Sequence, residues 1–177
     1  LEEAGADVVI SPMALEALKH YAERAGELDP DIRPARGQVS AFMTKRFQAV
    51  TTPRQSAELV GSRIPAIVIS SSGMATGGRV LSHMKAALPN AKNTVLFSGY
   101  QAEGTRGRKL LEGEREIKIH GELVAVNAEI AQLHTMSAHA DAGELMRWLG
   151  GFSRPPRLTC VVHGEPAAAD ALAGRIR

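Results

Sequence analysis

Short runs of aliphatic and β-branched residues alternate with amphipathic segments along most of the chain. The clearest run, Ala66-Ile67-Val68-Ile69, predicts a buried strand. The runs Thr94-Val95-Leu96-Phe97 and Leu158–Val162 predict two more strands, and residues at helical spacing follow each run. Alternation of this kind is typical of an α/β fold, here a mainly parallel sheet flanked by helices on both faces.

Weaker patterns complete the prediction. Strands are expected at 8–10, 46–50, 115–119, 122–126 and 129–133, helices from Pro12, from Thr52-Pro53, over 76–88, 105–112 and 141–149, and from Glu165, and a loop over 26–37. Ligands of parallel sheets bind at the carboxyl ends of the strands. The turns after Ile69, Phe97 and Val162 are therefore the positions where function is expected.

Composition limits the classes of protein that fit. A chain of 177 residues with 44% hydrophobic and 23% charged residues is globular, which excludes fibrous and low-complexity proteins. The single cysteine, Cys160, excludes an internal disulfide framework and favours a reducing, cytoplasmic location. No apolar run approaches the roughly 20 residues of a membrane span, so no membrane partner is expected.

Charge is unevenly distributed although the net charge is only +2. Residues 1–30 contain seven acidic and two basic side chains, whereas residues 79–118 contain eight basic and four acidic ones. The basic segment permits an anionic ligand near the middle of the chain, and an ordinary solvated surface of mixed charge explains it equally well.

The first candidate site is the turn at 70–79, which leads from a predicted strand into a predicted helix. It is rich in hydroxyl groups and glycine and ends in a base, Arg79. Exposed backbone N–H groups in such a turn suit a phosphate, although the Gly-Lys-Ser/Thr ending of a nucleotide-binding P-loop is missing. The alternative is a tight strand-to-helix turn with Thr76 as the helix N-cap.

The second candidate site is the loop at 98–108, which also follows a predicted strand. Its glycines stand beside Arg106 and Arg108, and arginine suits bidentate contact with phosphate. The alternative is a surface loop whose arginines only increase solubility. Because both glycine-rich segments follow strands of one predicted sheet, their joint occurrence is a stronger signal of a site than either segment alone.

The third candidate is a pair of histidines near the end of the chain. His139 and His163 are separated by a predicted helix, and His163 follows an apolar run. Imidazoles at such positions serve as metal ligands or general acids, or more simply as hydrogen-bonding caps. Two histidines and the nearby Asp141 do not complete a catalytic zinc site, which usually takes three protein ligands. Glu165 is equally explained as an acid in the first turn of a helix.

Five segments in this order resemble motifs of the β-CASP branch of the metallo-β-lactamase-fold nucleases. They are Ser11-Pro12-Met13-Ala14, Ser72-Gly73-Met74 with Gly77-Gly78-Arg79, Gly99–Arg108, Ser137-Ala138-His139-Ala140-Asp141, and Val162-His163-Gly164-Glu165. One small departure is Ile10, which stands where many relatives carry Asp or Asn before the Ser-Pro pair.

This resemblance implies an RNA-processing hydrolase with two zinc ions between a metallo-β-lactamase domain and an inserted β-CASP domain. His163 would then be a zinc ligand, and His139 and Asp141 would be catalytic, with His139 as the general acid. The RNA cleft would be lined by residues of both glycine-rich segments, namely Ser71, Ser72, Gly73, Met74, Arg79, Arg106 and Arg108.

The family's His-x-His-x-Asp-His zinc motif and its Glu-Ser-Thr-Tyr-Gly segment are missing from these 177 residues. The resemblance therefore implies a fragment, with the β-CASP domain over residues 1–136 and a return into the metallo-β-lactamase domain over residues 137–177. Its expected partners are RNA, the missing N-terminal metallo-β-lactamase domain and, as a further candidate, a second copy. The fragment alone is expected to bind zinc poorly and to lack nuclease activity.

Two other functions stay open at this point. One is a non-catalytic RNA-binding or scaffold member of the same family, and the other is an α/β domain that binds a small nucleotide. Upstream zinc motifs would favour the enzyme over the scaffold. Tight binding of a mononucleotide without preference for an RNA chain would favour the nucleotide-binding domain.

Overall fold

The computed structural model describes residues 7–33, 46–62, 64–134 and 139–176. Its strands are β1 (Asp7–Ile10), β2 (Phe47–Ala49), β3 (Ala66–Ile69), β4 (Thr94–Phe97), β5 (Glu116–Ile119), β6 (Glu122–Ala125) and β7 (Glu129–Gln132). Its α-helices are α1 (Pro12–Glu23), α2 (Pro53–Gly61), α3 (Val80–Ala87), α4 (Arg106–Leu111), α5 (Ala142–Gly150) and α6 (Pro166–Ile176). The mixed α/β class predicted from the sequence is confirmed. In these ranges, no helix has the length and apolar character needed to cross a membrane.

The strands of the described residues form three separate sheets. β2, β1 and β3 make a parallel sheet in that order, β4 pairs in parallel with β7, and β5 and β6 form an antiparallel hairpin. The prediction that β3 and β4 share one sheet is therefore wrong. β3 pairs with β1 from Asp7 opposite Ala66, while β4 pairs with β7 from Thr94 opposite Glu129, so each strand has a different parallel neighbour.

The main core lies between α3, α4, β4 and the β5–β6 hairpin. Its members are Ala75, Leu81, Met84, Leu88, Phe97, Leu110, Ile117, Ile119, Val124 and Ala128. Burying one large aliphatic or aromatic side chain of this kind stabilises the fold by about 1.5–3 kcal/mol. The predicted strand at 66–69 is present as β3, but the prediction that it is buried is wrong, because Val68 and Ile69 are exposed at 40% and 43%.

The end of α3 determines where β7 begins. The carbonyl oxygen of Leu88 accepts hydrogen bonds from Asn127 N at 2.8 Å and from Ala128 N at 2.9 Å. The amide group of Asn127 also donates through Nδ2 to the carbonyl oxygen of Pro89 at 3.0 Å. Carbonyl groups in the last turn of a helix have no partner within the helix, so these bonds satisfy one of them.

Helices α2 and α3 are joined by a polar contact. Ser56 is buried on α2, and its Oγ lies 2.8 Å from Nε2 of His83 on α3. Burial, and then the positive charge of Arg79, hold the pKa of His83 below its ordinary value of 6.5. The predicted start of α2 is confirmed, since Thr52 Oγ1 accepts from Gln55 N and Gln55 Oε1 accepts from Thr52 N.

α3 begins later than its sequence pattern predicts. The prediction of a helix from Thr76 with that residue as N-cap is wrong, because the helix starts at Val80 and its N-cap is Arg79. Ala75 has φ 53° and Gly78 has φ 80°, both in the left-handed region. A right-handed helix cannot pass through these residues, so the segment before Val80 is a turn.

The predicted strand at Leu158–Val162 is also absent. This segment is irregular, and no strand among the described residues pairs with it. Leu158 and Val162 are exposed at 78% and 77%. A strand needs a neighbour to take its backbone hydrogen bonds, so an apolar run without a neighbour stays irregular. The predicted boundary at 136/137 and the motif residues Ser137 and Ala138 lie outside the described residues.

Candidate nucleic-acid interface

The turn after β3, residues 70–79, is shaped by left-handed residues. Ser72, Ala75 and Gly78 have φ values of 70°, 53° and 80°. Ala75 N donates to the carbonyl oxygen of Ser72 at 2.8 Å, and Gly77 N donates to Ser72 Oγ at 3.3 Å. These two hydrogen bonds and the left-handed residues make a compact turn. Ser71 and Gly73, which were predicted to bind RNA, are not buried in it.

The loop after β4, residues 98–108, packs directly against that turn. Gln101 is only 2% exposed, and its Nε2 donates to the carbonyl oxygens of Gly73 at 2.8 Å, Gly99 at 3.1 Å and Tyr100 at 3.1 Å. The two glycine-rich segments thus meet through Gln101 and Gly73. They meet by packing loop against loop, although their strands belong to different sheets.

Gly107 makes this close approach possible. Its backbone N donates to the carbonyl oxygen of Met74 at 3.1 Å. A Cβ atom at position 107 would lie 1.7 Å from Oε1 of Gln101 and 3.2 Å from that same carbonyl oxygen of Met74. The structural roles of Gln101 and Gly107 were not predicted from the sequence, although both residues stand in the glycine-rich motif.

Arg106 connects the turn to the β5–β6 hairpin. Its Nε donates to the carbonyl oxygen of Lys118 at 2.8 Å, and its Nη1 donates to the carbonyl oxygens of Thr76 at 3.1 Å and Ala75 at 3.4 Å. Arginine suits this position because its planar group presents several fixed donors. Two of its three nitrogens thus bind the backbone of the turn and the hairpin.

Arg108 lies one helical turn from an acidic partner. Its Nε is 2.6 Å from Oε1 of Glu112, and both side chains are partly exposed. The hydrogen bond and the charge of Glu112 raise the pKa of the Arg108 guanidinium above its ordinary value. Arg79 differs, because its Nη1 is buried and has no hydrogen-bond partner among the described residues. Both arginines place positive charge beside the two loops. Arg108 is paired with Glu112, whereas Nη1 of Arg79 has no partner among the described residues.

Asp141, predicted to be catalytic, has a structural role at the start of α5. Its Oδ1 accepts from Glu144 N at 2.7 Å, and Glu144 Oε2 accepts from Asp141 N at 2.9 Å. This reciprocal arrangement is a capping box. His139 is exposed and lies two residues before Asp141. The capping box therefore fixes the backbone just after His139.

His163, the predicted zinc ligand, is exposed and has φ 64°, in the left-handed region. Within residues 7–33, 46–62, 64–134 and 139–176, no group of three His, Cys, Asp or Glu side chains could hold a metal ion. The described residues thus do not form a zinc site by themselves. His163 fits zinc by its chemistry, as one ligand of a set that needs others.

Glu165 joins the C-terminal segment to the loop after β4. Its Oε1 accepts hydrogen bonds from the Tyr100 hydroxyl and from Glu103 N, the latter at 3.2 Å. The Tyr100 hydrogen bond, followed by that of Glu103, lowers the pKa of the Glu165 carboxyl. The same hydrogen bond raises the pKa of Tyr100. Glu165 was expected as a member of a family motif or as a first-turn acid of a helix, and neither expectation predicted this contact across 65 positions.

The fold and the paired loops define an α/β domain with glycine, hydroxyl and arginine groups gathered at strand ends. Residues 6–110 match the family model described as the Beta-Casp domain. Residues 123–177 match the one described as the Zn-dependent metallo-hydrolase RNA specificity domain. The chain belongs to the β-CASP family of metallo-β-lactamase-fold nucleases.

Curated relatives support this assignment. The chain is 38% identical over 130 residues to transcription termination factor FttA of Pyrococcus horikoshii, covering 71% of this chain and 20% of the relative. It is 29% identical to FttA of Methanosarcina mazei, covering 96% of this chain and 28% of the relative. It is 32% identical to ribonuclease TTHA0252 of Thermus thermophilus, covering 88% and 35%. The chain thus spans about a third or less of the length of these relatives.

Proposed function

We propose that the chain supplies the RNA-binding surface and one zinc-ligand histidine of a zinc-dependent ribonuclease that acts in RNA processing or decay. The observation that carries the proposal is the loop pair, in which Gln101 and Gly107 hold the Ser-Gly-Met turn against the loop that contains Arg108. The name of the Thermus thermophilus relative, a ribonuclease, agrees with it.

RNA would be held by two kinds of group in this proposal. The hydroxyl and backbone groups of Ser71, Ser72, Gly73 and Met74 would contact the phosphate backbone closely, because the turn carries little side-chain bulk. Arg79 and Arg108 would add charge. Arg106 would contribute by holding the turn through its bonds to Ala75 and Thr76. Such contacts position an RNA strand without reading its sequence.

The zinc-dependent part of the proposal rests on His163. Zinc bound beside RNA would polarise the phosphodiester for hydrolysis. Its other ligands, and the rest of the catalytic machinery, would come from the proposed N-terminal metallo-β-lactamase domain. His139 would donate a proton to the leaving oxygen, as the family resemblance implies. The proposed setting is the cytoplasm, and a second copy of the chain stays a candidate partner.

Cleavage of a labelled single-stranded RNA by the full-length protein tests this function. His163→Ala should abolish cleavage and reduce the zinc content, while His20→Ala, on the exposed face of α1 beside Glu23, should change neither. Wild-type turnover by His163→Ala would refute the ligand assignment.

A non-catalytic RNA-binding function is the second candidate. It is favoured by the name of the FttA relatives, which describes termination of transcription and not cleavage. In that case the full-length protein would bind RNA through the same loops, and neither zinc addition nor His163→Ala would change the amount of RNA cleaved. Competition with a mononucleotide separates both candidates from a nucleotide-binding domain. A mononucleotide would displace RNA from a nucleotide-binding domain and would not displace it from either candidate.

A further inference from the structure

Glu165 belongs to two structural units at once. Its backbone carbonyl oxygen accepts from Ala169 N at 2.9 Å in the first turn of α6. Its side chain leaves that helix and accepts from the Tyr100 hydroxyl and Glu103 N in the loop after β4. We call these three groups, the Tyr100 hydroxyl, the Glu103 N–H and the Glu165 carboxylate, the clamp.

The residue two positions before Glu165 has an unusual backbone conformation. His163 has φ 64°, which few residues other than glycine adopt. Such a conformation costs on the order of 1–3 kcal/mol and persists only when the surroundings hold it. Glu165 is held, since its carboxylate is bonded to the loop, and a Cβ atom at Gly164 would lie 3.7 Å from the Cβ atom of Ala169. The clamp therefore fixes the chain on the C-terminal side of His163.

The same loop that carries the donors of the clamp is packed against the Ser-Gly-Met turn. Gln101 follows Tyr100 directly and donates to the carbonyl oxygen of Gly73. A continuous set of hydrogen bonds thus runs from the turn through the loop to Glu165. His163 is held at a set position relative to the surface where RNA is proposed to bind.

We propose that Tyr100 and Glu165 are positioning residues for His163. They act by fixing the distance between this histidine and the RNA-binding loops. This inference rests on the function proposed above. A carboxylate suits the role because it can accept two hydrogen bonds from different donors at the same time. Neither residue is proposed to touch the RNA or the metal.

The test uses the full-length protein with Tyr100→Phe, Glu165→Ala, the double variant, and Glu165→Gln. Tyr100→Phe and Glu165→Ala should each lower kcat for RNA cleavage by about 10-fold, as loss of a supporting contact commonly does, with KM for RNA changed by less than about 2-fold. The double variant should be no slower than Glu165→Ala, because both substitutions remove one shared bond. Glu165→Gln keeps an acceptor oxygen and should recover part of the activity.

Glu103→Ala is the matched control. It removes a neighbouring carboxylate and keeps the backbone N–H that donates to Glu165, so it should cleave like the wild type. Tyr100→Phe removes only one oxygen atom and is the deciding variant if Glu165→Ala fails to fold. A wild-type kcat in Tyr100→Phe would overturn the proposal. So would a double variant whose fold-loss of kcat is the product of the two single fold-losses.

Amide hydrogen exchange over residues 163–169 gives a readout that does not depend on cleavage. Exchange should be faster in Tyr100→Phe than in the wild type and in Glu103→Ala, because the clamp no longer holds the start of α6. Equal exchange in all three would overturn the clamp even if the protein cleaves no RNA. A full-length protein without zinc-dependent cleavage, but with this exchange difference, would instead overturn the ribonuclease proposal and leave the contact itself established.

Discussion

Gly107 and Gln101 share a space that has no room for a Cβ atom, since such an atom would lie 1.7 Å from Oε1 of Gln101. Gln101 cannot turn away without losing its hydrogen bonds to three carbonyl oxygens. We expect Gly107→Ala to lower the free energy of unfolding by about 2–3 kcal/mol, as overpacking of a filled site does. Urea denaturation measures this change.

Gly99→Ala is the control for that experiment. Gly99 lies in the same loop with nothing within 4 Å of its Cβ position and without a left-handed φ. Its alanine variant should unfold within about 0.5 kcal/mol of the wild type. Equal stability of Gly107→Ala and Gly99→Ala would contradict the packing described here.

His83 should make stability depend on pH. Its pKa is lowered in the folded chain, so the unfolded chain takes up the proton first as the pH falls. The stability that the neutral imidazole gives is present above the ordinary pKa of 6.5 and is lost as the pH falls through the folded value. Thermal unfolding between about pH 7.5 and pH 5 should show this loss.

His83→Gln removes the titrating group and keeps a side chain that can bond to Ser56. This variant should show a smaller loss of stability on acidification than the wild type. An identical pH profile in His83→Gln and the wild type would contradict the prediction.

Arg106 and Arg108 should behave differently in an RNA-binding assay. Arg106→Gln should destabilise the chain by about 2 kcal/mol, since it removes charge-assisted bonds to the backbone at Lys118 and Thr76. Arg108→Gln should leave stability nearly unchanged and reduce the slope of log affinity against log salt by about 0.7, the value for one phosphate contact on a single strand. Fluorescence titrations at several salt concentrations measure the slope, and an unchanged slope for Arg108→Gln would count against its phosphate contact.

Asp141 can be assigned a catalytic or a purely structural role with one substitution. Asparagine is as good an N-cap as aspartate, so Asp141→Asn should unfold within about 0.5 kcal/mol of the wild type. If the carboxylate also takes part in proton transfer with His139, the same variant should cleave RNA at least about 100-fold more slowly. Asp141→Ala, which loses the cap as well, should cost about 1 kcal/mol of stability. Full activity in Asp141→Asn would leave Asp141 with the cap alone.

The 177-residue chain alone should bind zinc weakly and should not cleave RNA. The described residues offer no group of three potential ligand side chains, and His163 alone is a weak ligand. Metal analysis after dialysis and an RNA cleavage assay, run beside the full-length protein, check both points. Stoichiometric zinc or cleavage by the chain alone would refute the prediction.

Local sequence patterns predicted most of the elements because their causes are local. The Thr52-Pro53 start of α2 is an example, since the cap, the proline and Gln55 lie within four residues. The start of α3 was not predictable in this way, because Gly78 has a left-handed φ and the turn before it is bonded to Gly107 and Arg106, which are about 30 positions away. Leu158–Val162 has the composition of a strand, but composition does not supply a neighbouring strand.

The family motifs contain the residues that join the two glycine-rich segments, but they did not predict the contacts these residues make. Gln101 and Gly107 stand in the recognised motif, yet their importance follows from an interatomic distance that only the folded chain shows. The bond between Tyr100 and Glu165 joins two motifs 65 positions apart. Such contacts depend on the path of the whole chain between them, which periodicity and spacing do not contain.

The carbonyl oxygen of Leu88, which accepts from both Asn127 and Ala128, has a consequence for strand alignment. A parallel pair has no tight turn to set its alignment, and a shift by one residue would exchange the two faces of β7. Here the backbone just before Glu129 is bonded to the end of α3, and Glu129 N donates to the carbonyl oxygen of Asn93, next to the start of β4. The alignment of β4 with β7 is thus determined by a helix terminus outside the sheet.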